Sequence, residues 1–317
     1  MEQHQWSGVL PAITTPFHAD LTVDHAALEK HVRWLADEGC NGVVALGSLG
    51  EGATLGFEEK VEVLETCRHA LGGELPVIAG IAGLSTTECV ALAKRAQKAG
   101  CDGLMVLPPY VYRGDWRESR AHFEAVIAAT PLSCMLYNNP IAYGTDVSPA
   151  QLVELARHRN LHAVKESSGD VRRVTGIRAQ LGERLNVLAG MDDAILESVP
   201  MGAVGWVAGL VNALPAESVK LFALARSNQM AEAAELYRWF LPLLRLDTVP
   251  KFVQLIKLVQ AEVGRGTPTV RPPRLELDVA ERGEVLALIR ERLATRPATS
   301  PPIASAHGAT PVARPVA

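Results

Sequence analysis

No run of about 18 consecutive apolar residues occurs in the 317-residue chain, so a membrane-spanning helix is not expected. A basic surplus is missing too. Lys and Arg total 31 against 35 Asp and Glu, a net charge of −4, which argues against the basic face a nucleic-acid partner needs. Cysteine is sparse and badly placed for cross-linking. Cys40, Cys67, Cys89, Cys101 and Cys134 are odd in number, widely spaced and without a C-x-x-C pair. Buried thiols in a reducing compartment are expected, not a disulfide framework or a zinc site. The N-terminus, "MEQHQWSGVLPAITTPF", lacks the basic and apolar regions of a secretory signal, so a cytoplasmic location is expected. The histidines form no H-x-H or H-E-x-x-H arrangement, which weighs against metal-dependent chemistry. No G-x-S-x-G elbow favours a serine hydrolase, and no G-x-G-x-x-G opens a helix after an early strand.

What is present is alternation. Eight short apolar runs read as strands: "GVLPAIT" from Gly8, "GVVALG" from Gly42, "PVIAGIA" from Pro76, "GLMVLPP" from Gly103, "LSCMLYNNP" from Leu132, "LHAVKE" from Leu161, "NVLAG" from Asn186 and "GAVGWVAG" from Gly202. Their Val, Ile and Leu content suits strands buried on both faces. Amphipathic stretches separate them, as at 24–39, 57–73, 86–100 and 115–129. In the first, Leu28, Val32 and Leu35 recur at helical spacing. Asp24 and Thr86 stand where N-caps belong, and Gly39 and Gly100 where helices stop. Eight strand–helix units imply an α/β fold, a closed (β/α)8 TIM barrel, over 1–214. From Pro215 the pattern is helical only. Residues 215–295 are read as the last barrel helix plus an appended C-terminal helical subdomain, and the Pro- and Ala-rich stretch 296–317 as a disordered tail.

A barrel of this kind carries its chemistry where its strands end. After the second strand, Gly47, Ser48, Leu49 and Gly50 form a Gly-rich turn whose amides can converge on an anion, with the Ser48 hydroxyl beside them. A plain connecting turn is the competing explanation. Tyr137 ends the fifth strand and either relays a proton or serves as a core phenol. The sixth strand ends in Lys165, one of eight lysines in the chain and the one that closes an apolar strand. An ammonium ion is poorly housed there. Bringing a lysine pKa down by about 3 costs roughly 4 kcal/mol, which burial can supply, and the neutral amine can attack a ketone to form a Schiff base. A structural ion pair with Glu166, or with an aspartate after strand seven, is the alternative. Asp192 and Asp193 follow strand seven and either hold a polar substrate or cap the next helix, with Asp193 the better cap. Trp206 and Ala208 of strand eight either line a pocket or pack the core.

"TTPF" (14–17), "GSLGE" (47–51), "YNNP" (137–140), "VKESSGD" (164–170) and "GMDD" (190–193), in this order, resemble the dihydrodipicolinate synthase/N-acetylneuraminate lyase family over most of the chain. The resemblance implies a class I, Schiff-base-forming lyase acting on a small-molecule 2-oxo acid. It implies neither metal nor organic cofactor, and a homotetramer built as a dimer of dimers. It makes Lys165 the imine lysine, Tyr137 the proton-relaying tyrosine, Gly47, Ser48 and Leu49 the carboxylate-binding turn, and Asp192 a position that some sugar-acid lyases use for substrate hydroxyls. Four departures stand out. Leu49 replaces a second threonine. Ala142 replaces the arginine of lysine-pathway synthases. Val111, flanked by Tyr110 and Tyr112, replaces a tyrosine given by a neighbouring subunit. Ala208 replaces a hydroxyl of sialic-acid lyase. Tyr143 adds an aromatic wall where the arginine would stand. These changes argue against the lysine-pathway condensation and for aldol cleavage or dehydration of a 3-deoxy-2-oxo acid. Condensation with aspartate semialdehyde, action on a hydroxyproline-derived ring acid and a non-catalytic binding barrel remain as alternatives.

Overall fold

The computed structural model describes residues 1–298. The tail expected over 296–317 therefore falls, from residue 299 on, outside the described residues. Each apolar run contains one strand: β1 (Gly8–Pro11), β2 (Val43–Ala45), β3 (Val77–Ile81), β4 (Gly103–Val106), β5 (Ser133–Asn138), β6 (Leu161–Glu166), β7 (Asn186–Ala189) and β8 (Gly205–Ala208). All paired neighbours are parallel, in the order β1-β8-β7-β6-β5-β4-β3-β2. The two ends of this sheet meet. The Ile13 amide donates to the Val44 carbonyl at 3.0 Å and the Asn41 amide to that of Val9 at 2.8 Å. The sheet is thus a closed (β/α)8 barrel with no free edge.

Helices α1 (His25–Asp37), α2 (Phe57–Leu71), α3 (Thr86–Lys98), α4 (Trp116–Ile127), α5 (Pro140–Tyr143), α6 (Pro149–Leu155), α7 (Arg172–Leu181) and α8 (Ile195–Ser198) fall between the strands. The stripe of Leu28, Val32 and Leu35 is fully buried. Asp24 caps α1 by accepting from the Ala27 amide at 2.9 Å. At α3 the cap is Ser85, not Thr86. Ser85 has the extended backbone a cap needs and accepts from the Glu88 amide at 3.1 Å, while Thr86 is already helical and its hydroxyl meets His122 Nδ1 at 3.0 Å. All five cysteines are free and buried, and burial raises the thiol pKa of Cys89 to about 11 and of Cys134 to about 12. Among the described residues no helix is long and apolar enough to cross a membrane.

Four helices follow β8: α9 (Pro215–Arg226), α10 (Met230–Leu244), α11 (Phe252–Glu262) and α12 (Val279–Ala294). A buried ion pair fastens α11 to the barrel. The Lys257 ammonium lies 2.6 Å from a carboxylate oxygen of Glu51, with side chains 2% and 0% exposed. The other Glu51 oxygen accepts from the Arg271 amide at 3.0 Å, and Lys257 also donates to the Thr269 carbonyl at 2.8 Å. Removing one partner strands a desolvated charge, which costs more than the pair itself contributes. Lys257→Met is accordingly expected to lose about 3–5 kcal/mol in equilibrium urea unfolding. An unchanged midpoint would show that the pair does not hold the subdomain.

Candidate active site

A cavity of about 470 Å³ opens where the strands end. Its floor and walls come from successive strands and their following turns: Ala12, Gly47 to Leu49, Met105, Tyr137, Lys165, Gly190 and Val207. The appended helices roof it with Asp247, Thr248, Val249, Pro250 and Phe252, and Arg274 reaches in from the link before α12. A smaller hollow of about 240 Å³, lined by Glu118 and His122 among others, holds no lysine. Among the described residues no three His, Cys, Asp or Glu side chains gather as a metal-ligand set.

Strand register brings the two central residues together. Tyr137 of β5 pairs directly with Lys165 of β6, and alternation sends both side chains inward. The Lys165 amine stands 4.3 Å from the centroid of the Tyr137 ring. Both residues are 6% exposed. Lys60, Lys251 and Lys257 each sit against a glutamate, but Lys165 has no ion-pair partner among the described residues. Glu166, the partner considered from sequence, turns the other way. It accepts from the Asn138 amide group at 3.0 Å and the Ser168 amide at 2.6 Å. Burial lowers the Lys165 pKa from 10.5 to about 8, against the opposing pull of Asp247 and Asp192. At pH 7.5 about a quarter of such amines are uncharged, against about one in a thousand at the ordinary value. Burial raises the Tyr137 phenol to about 12, although its oxygen accepts from the Asn139 side chain at 3.0 Å.

The turn after β2 faces this pair. Leu46 and Glu51 hold left-handed backbone, with φ 64° and 54°, on either side of Gly47–Gly50. Such strain in non-glycine residues gathers where a turn is shaped for a task. The amides of Ser48 and Leu49 have no hydrogen-bond acceptor among the described residues, and both residues line the cavity. The Ser48 hydroxyl hydrogen-bonds the Tyr143 hydroxyl. The Tyr143 ring packs edge-on against Tyr137, at 5.7 Å between centroids, and against Tyr110 at 5.4 Å. Tyr110 thus lines its own chain's cavity, while Val111 and Tyr112 are 78% and 63% exposed. Ala142 is on the cavity wall, where it offers no charge.

Three residues expected to touch substrate do not line the cavity. In β8 it is Val207 that faces inward, so alternation turns Trp206 and Ala208 to the opposite face, where both are fully buried. Asp192 lies behind the wall with its oxygens occupied. It accepts from Trp206 Nε1 at 3.0 Å, the Gly209 amide at 3.1 Å and the Leu210 amide at 2.8 Å. Burial raises its pKa to about 6 in spite of these donors. Asp193, expected as a cap, makes none. Its carboxylate stands 3.8 Å from Arg245 Nε.

Two charged lining residues, Asp247 and Arg274, lie at no strand end. Asp247 arrives from outside the barrel. Pro242 lacks the amide that α10 needs near its end, and the chain then tightens into a short 3-10 turn, Arg245–Asp247, over the cavity. An aspartate inside the apolar stretch "LPLLRLDTVP" was the available signal.

Gly190 is the backing of Lys165. A methyl group on its Cα would stand 1.9 Å from Ser167 Oγ and 2.7 Å from Lys165 Cε. Gly190→Ala must displace the lysine. The adduct trapped by borohydride with pyruvate should form at least about tenfold more slowly, by intact-mass spectrometry, following the loss expected when reacting groups are misplaced by about 1 Å. Trapping at the unaltered rate would mean that the side chain is not held as described.

The sequence model of the Dihydrodipicolinate synthetase family matches residues 5–292. A 4-hydroxy-tetrahydrodipicolinate synthase of Methanoculleus marisnigri is 33% identical over 282 residues, 87% of this chain and 96% of that one. The enzyme of the same name from Agrobacterium fabrum is 33% identical over 269 residues, 84% and 92% of the two chains. Among solved structures, a dihydrodipicolinate synthase of Bacillus anthracis superposes with a TM-score of 0.86 at 28% identity, covering 90% of this chain and 98% of that one. YagE, an E. coli K12 prophage protein described as belonging to the dihydrodipicolinic acid synthase family and solved in complex with pyruvate, does so with the same score at 28% identity, covering 91% and 99%. With the strand-end lysine, the facing tyrosine and the Gly-rich turn in place, the chain belongs to the dihydrodipicolinate synthetase family and is a Schiff-base-forming lyase of the class I aldolase type.

Proposed function

We propose that Lys165 is the imine-forming residue and that the substrate is a 3-deoxy-2-oxo acid cleaved or dehydrated through a pyruvate-type carbanion. The observation that carries this is the register match of Tyr137 with an unpaired, largely desolvated Lys165. The amides of Ser48 and Leu49, with the Ser48 hydroxyl, hold the substrate carboxylate. The neutral Lys165 amine adds to the C2 carbonyl, and loss of water gives an iminium. That cation draws in the electron pair released at C3, so the adjoining bond breaks at lower cost. Tyr137 moves the proton at C3. Tyr143 and Tyr110 extend the hydroxyl path from Ser48 within one chain, which compensates for Leu49 and Val111.

Condensation with aspartate semialdehyde is the second reading, favoured by the names of the curated relatives. Against it, Ala142 leaves that wall without a bidentate partner for a second carboxylate. We place the enzyme in the cytoplasm as a homotetramer. Exposed Leu84, Val111 and Tyr112, on the turns after β3 and β4, support a contact between copies there.

Borohydride with pyruvate should add one reduced adduct to the wild type and none to Lys165→Ala. Tyr137→Phe should keep the adduct but lose about 100-fold or more in turnover, the usual worth of a positioned proton donor. The assay is a panel of 2-oxo acids scored for pyruvate, ammonia and dehydrated product. An adduct on Lys165→Ala contradicts the assignment. Robust turnover of aspartate semialdehyde with pyruvate favours the second reading.

A further inference from the structure

We propose that Asp247 reads the substrate: its carboxyl group takes the hydrogen of a hydroxyl on C4 of the imine-bound acid, so that the cavity selects 4-hydroxy-2-oxo acids. Four observations converge on it. Asp247 lines the same cavity as Lys165 and Tyr137. It reaches in over Gly209, whose Cα lies so close that a methyl group there would stand 2.0 Å from Asp247 Oδ1. It has no hydrogen-bond or ion-pair partner among the described residues, and its Oδ1 is buried. Its remaining exposed surface faces the cavity, where a ligand can meet it. Leaving a desolvated carboxyl group without a donor is costly, and a donor that comes with the ligand accounts for it.

The surroundings define that donor. The charged groups acting on Asp247 are Lys165, which attracts it, and Asp192 and Asp193, which repel it. Burial and the Asp192 carboxylate hold its own pKa well above the usual range. A substrate carboxylate would find no cationic partner in Asp247, whereas a hydroxyl meets an acceptor. The lysine fixes C2 of the substrate, C4 lies two bonds further along, and Asp247 lines the same cavity as the lysine.

The step balances without a further reactant. The Asp247 carboxylate accepts the C4 hydroxyl proton as the C3–C4 bond breaks. The C4 oxygen becomes the carbonyl oxygen of the departing aldehyde or ketone. The C3–C4 pair forms the C2–C3 double bond, and the former C=N pair settles on the Lys165 nitrogen, giving a neutral enamine. Tyr137 gives its proton to C3 and regains one from Asp247. Water then hydrolyses the imine and frees both residues.

This rests on the lysine chemistry proposed above, and two readouts keep the two apart. Exchange of pyruvate methyl hydrogens in deuterium oxide, followed by NMR, needs Lys165 and Tyr137 but no C4 hydroxyl. Cleavage of racemic 4-hydroxy-2-oxoglutarate and of 2-oxo-3-deoxygluconate needs all three. In the near-isosteric Asp247→Asn variant exchange should remain measurable, while kcat/KM for whichever probe the wild type cleaves falls at least about 30-fold further than the exchange rate does, mostly in kcat. Retained exchange doubles as proof that the variant is folded. Equal losses in exchange and cleavage would make Asp247 a mere counter-ion of Lys165 and overturn the proposal. Unchanged cleavage would overturn it, as would a wild type that exchanges pyruvate but cleaves neither probe. A wild type that traps no pyruvate would overturn the lysine chemistry itself.

Discussion

Desolvation of one amine governs this molecule. Lys165 is the penultimate residue of β6, its register partners Tyr137 and Leu188 are buried, and no carboxylate among the described residues forms an ion pair with it. Its pKa falls from 10.5 to about 8, a difference of about 3 kcal/mol between the two protonation states. The sign follows from proton counts. Between pH of about 8 and 10.5 an unfolded chain keeps a proton on this lysine that the folded chain has released, so stability rises with pH across that window. Below about 8 the folded barrel carries the full penalty. A neutral, nucleophilic amine requires such an environment, which is why Lys165 is proposed as the imine lysine.

The rest of the architecture holds that amine in place. Parallel register sets Tyr137 beside it, and Gly190 leaves room for its side chain. The Lys257–Glu51 pair illustrates the opposite use of burial. There a second desolvated lysine is matched by a carboxylate at 2.6 Å and fastens the helical subdomain to the end of the Gly-rich turn. The subdomain in turn roofs the cavity and supplies Asp247 and Arg274. One buried lysine is paired; the other, Lys165, has no ion-pair partner among the described residues and is the one proposed to react.

Much of this was legible in the sequence because strand ends are local features. All eight apolar runs became strands, since a run flanked by turn residues and buried on both faces has few other options. Side-chain parity was less legible. Trp206 and Ala208 look as eligible as Val207 until the barrel fixes which of them faces inward. The two residues of "DD" after β7 are each eligible from sequence to hold a polar substrate or to cap the next helix. Asp192 instead is saturated by amides that arrive from the turn after β8. Thr86 and Ser85 differ by one position, below what composition resolves. Asp247 was out of reach for a different reason. It belongs to no strand end, and only tertiary folding brings the close of α10 across the barrel mouth.

The charge state of the Lys165 nitrogen can be read directly by competitive labelling. The wild-type protein is acylated with trace acetic anhydride over a pH series from about 6 to 11, and Lys165 is compared with the exposed Lys94 by peptide mass spectrometry. A midpoint near 8 is expected for Lys165. A Lys165 midpoint near the ordinary 10.5 would contradict it.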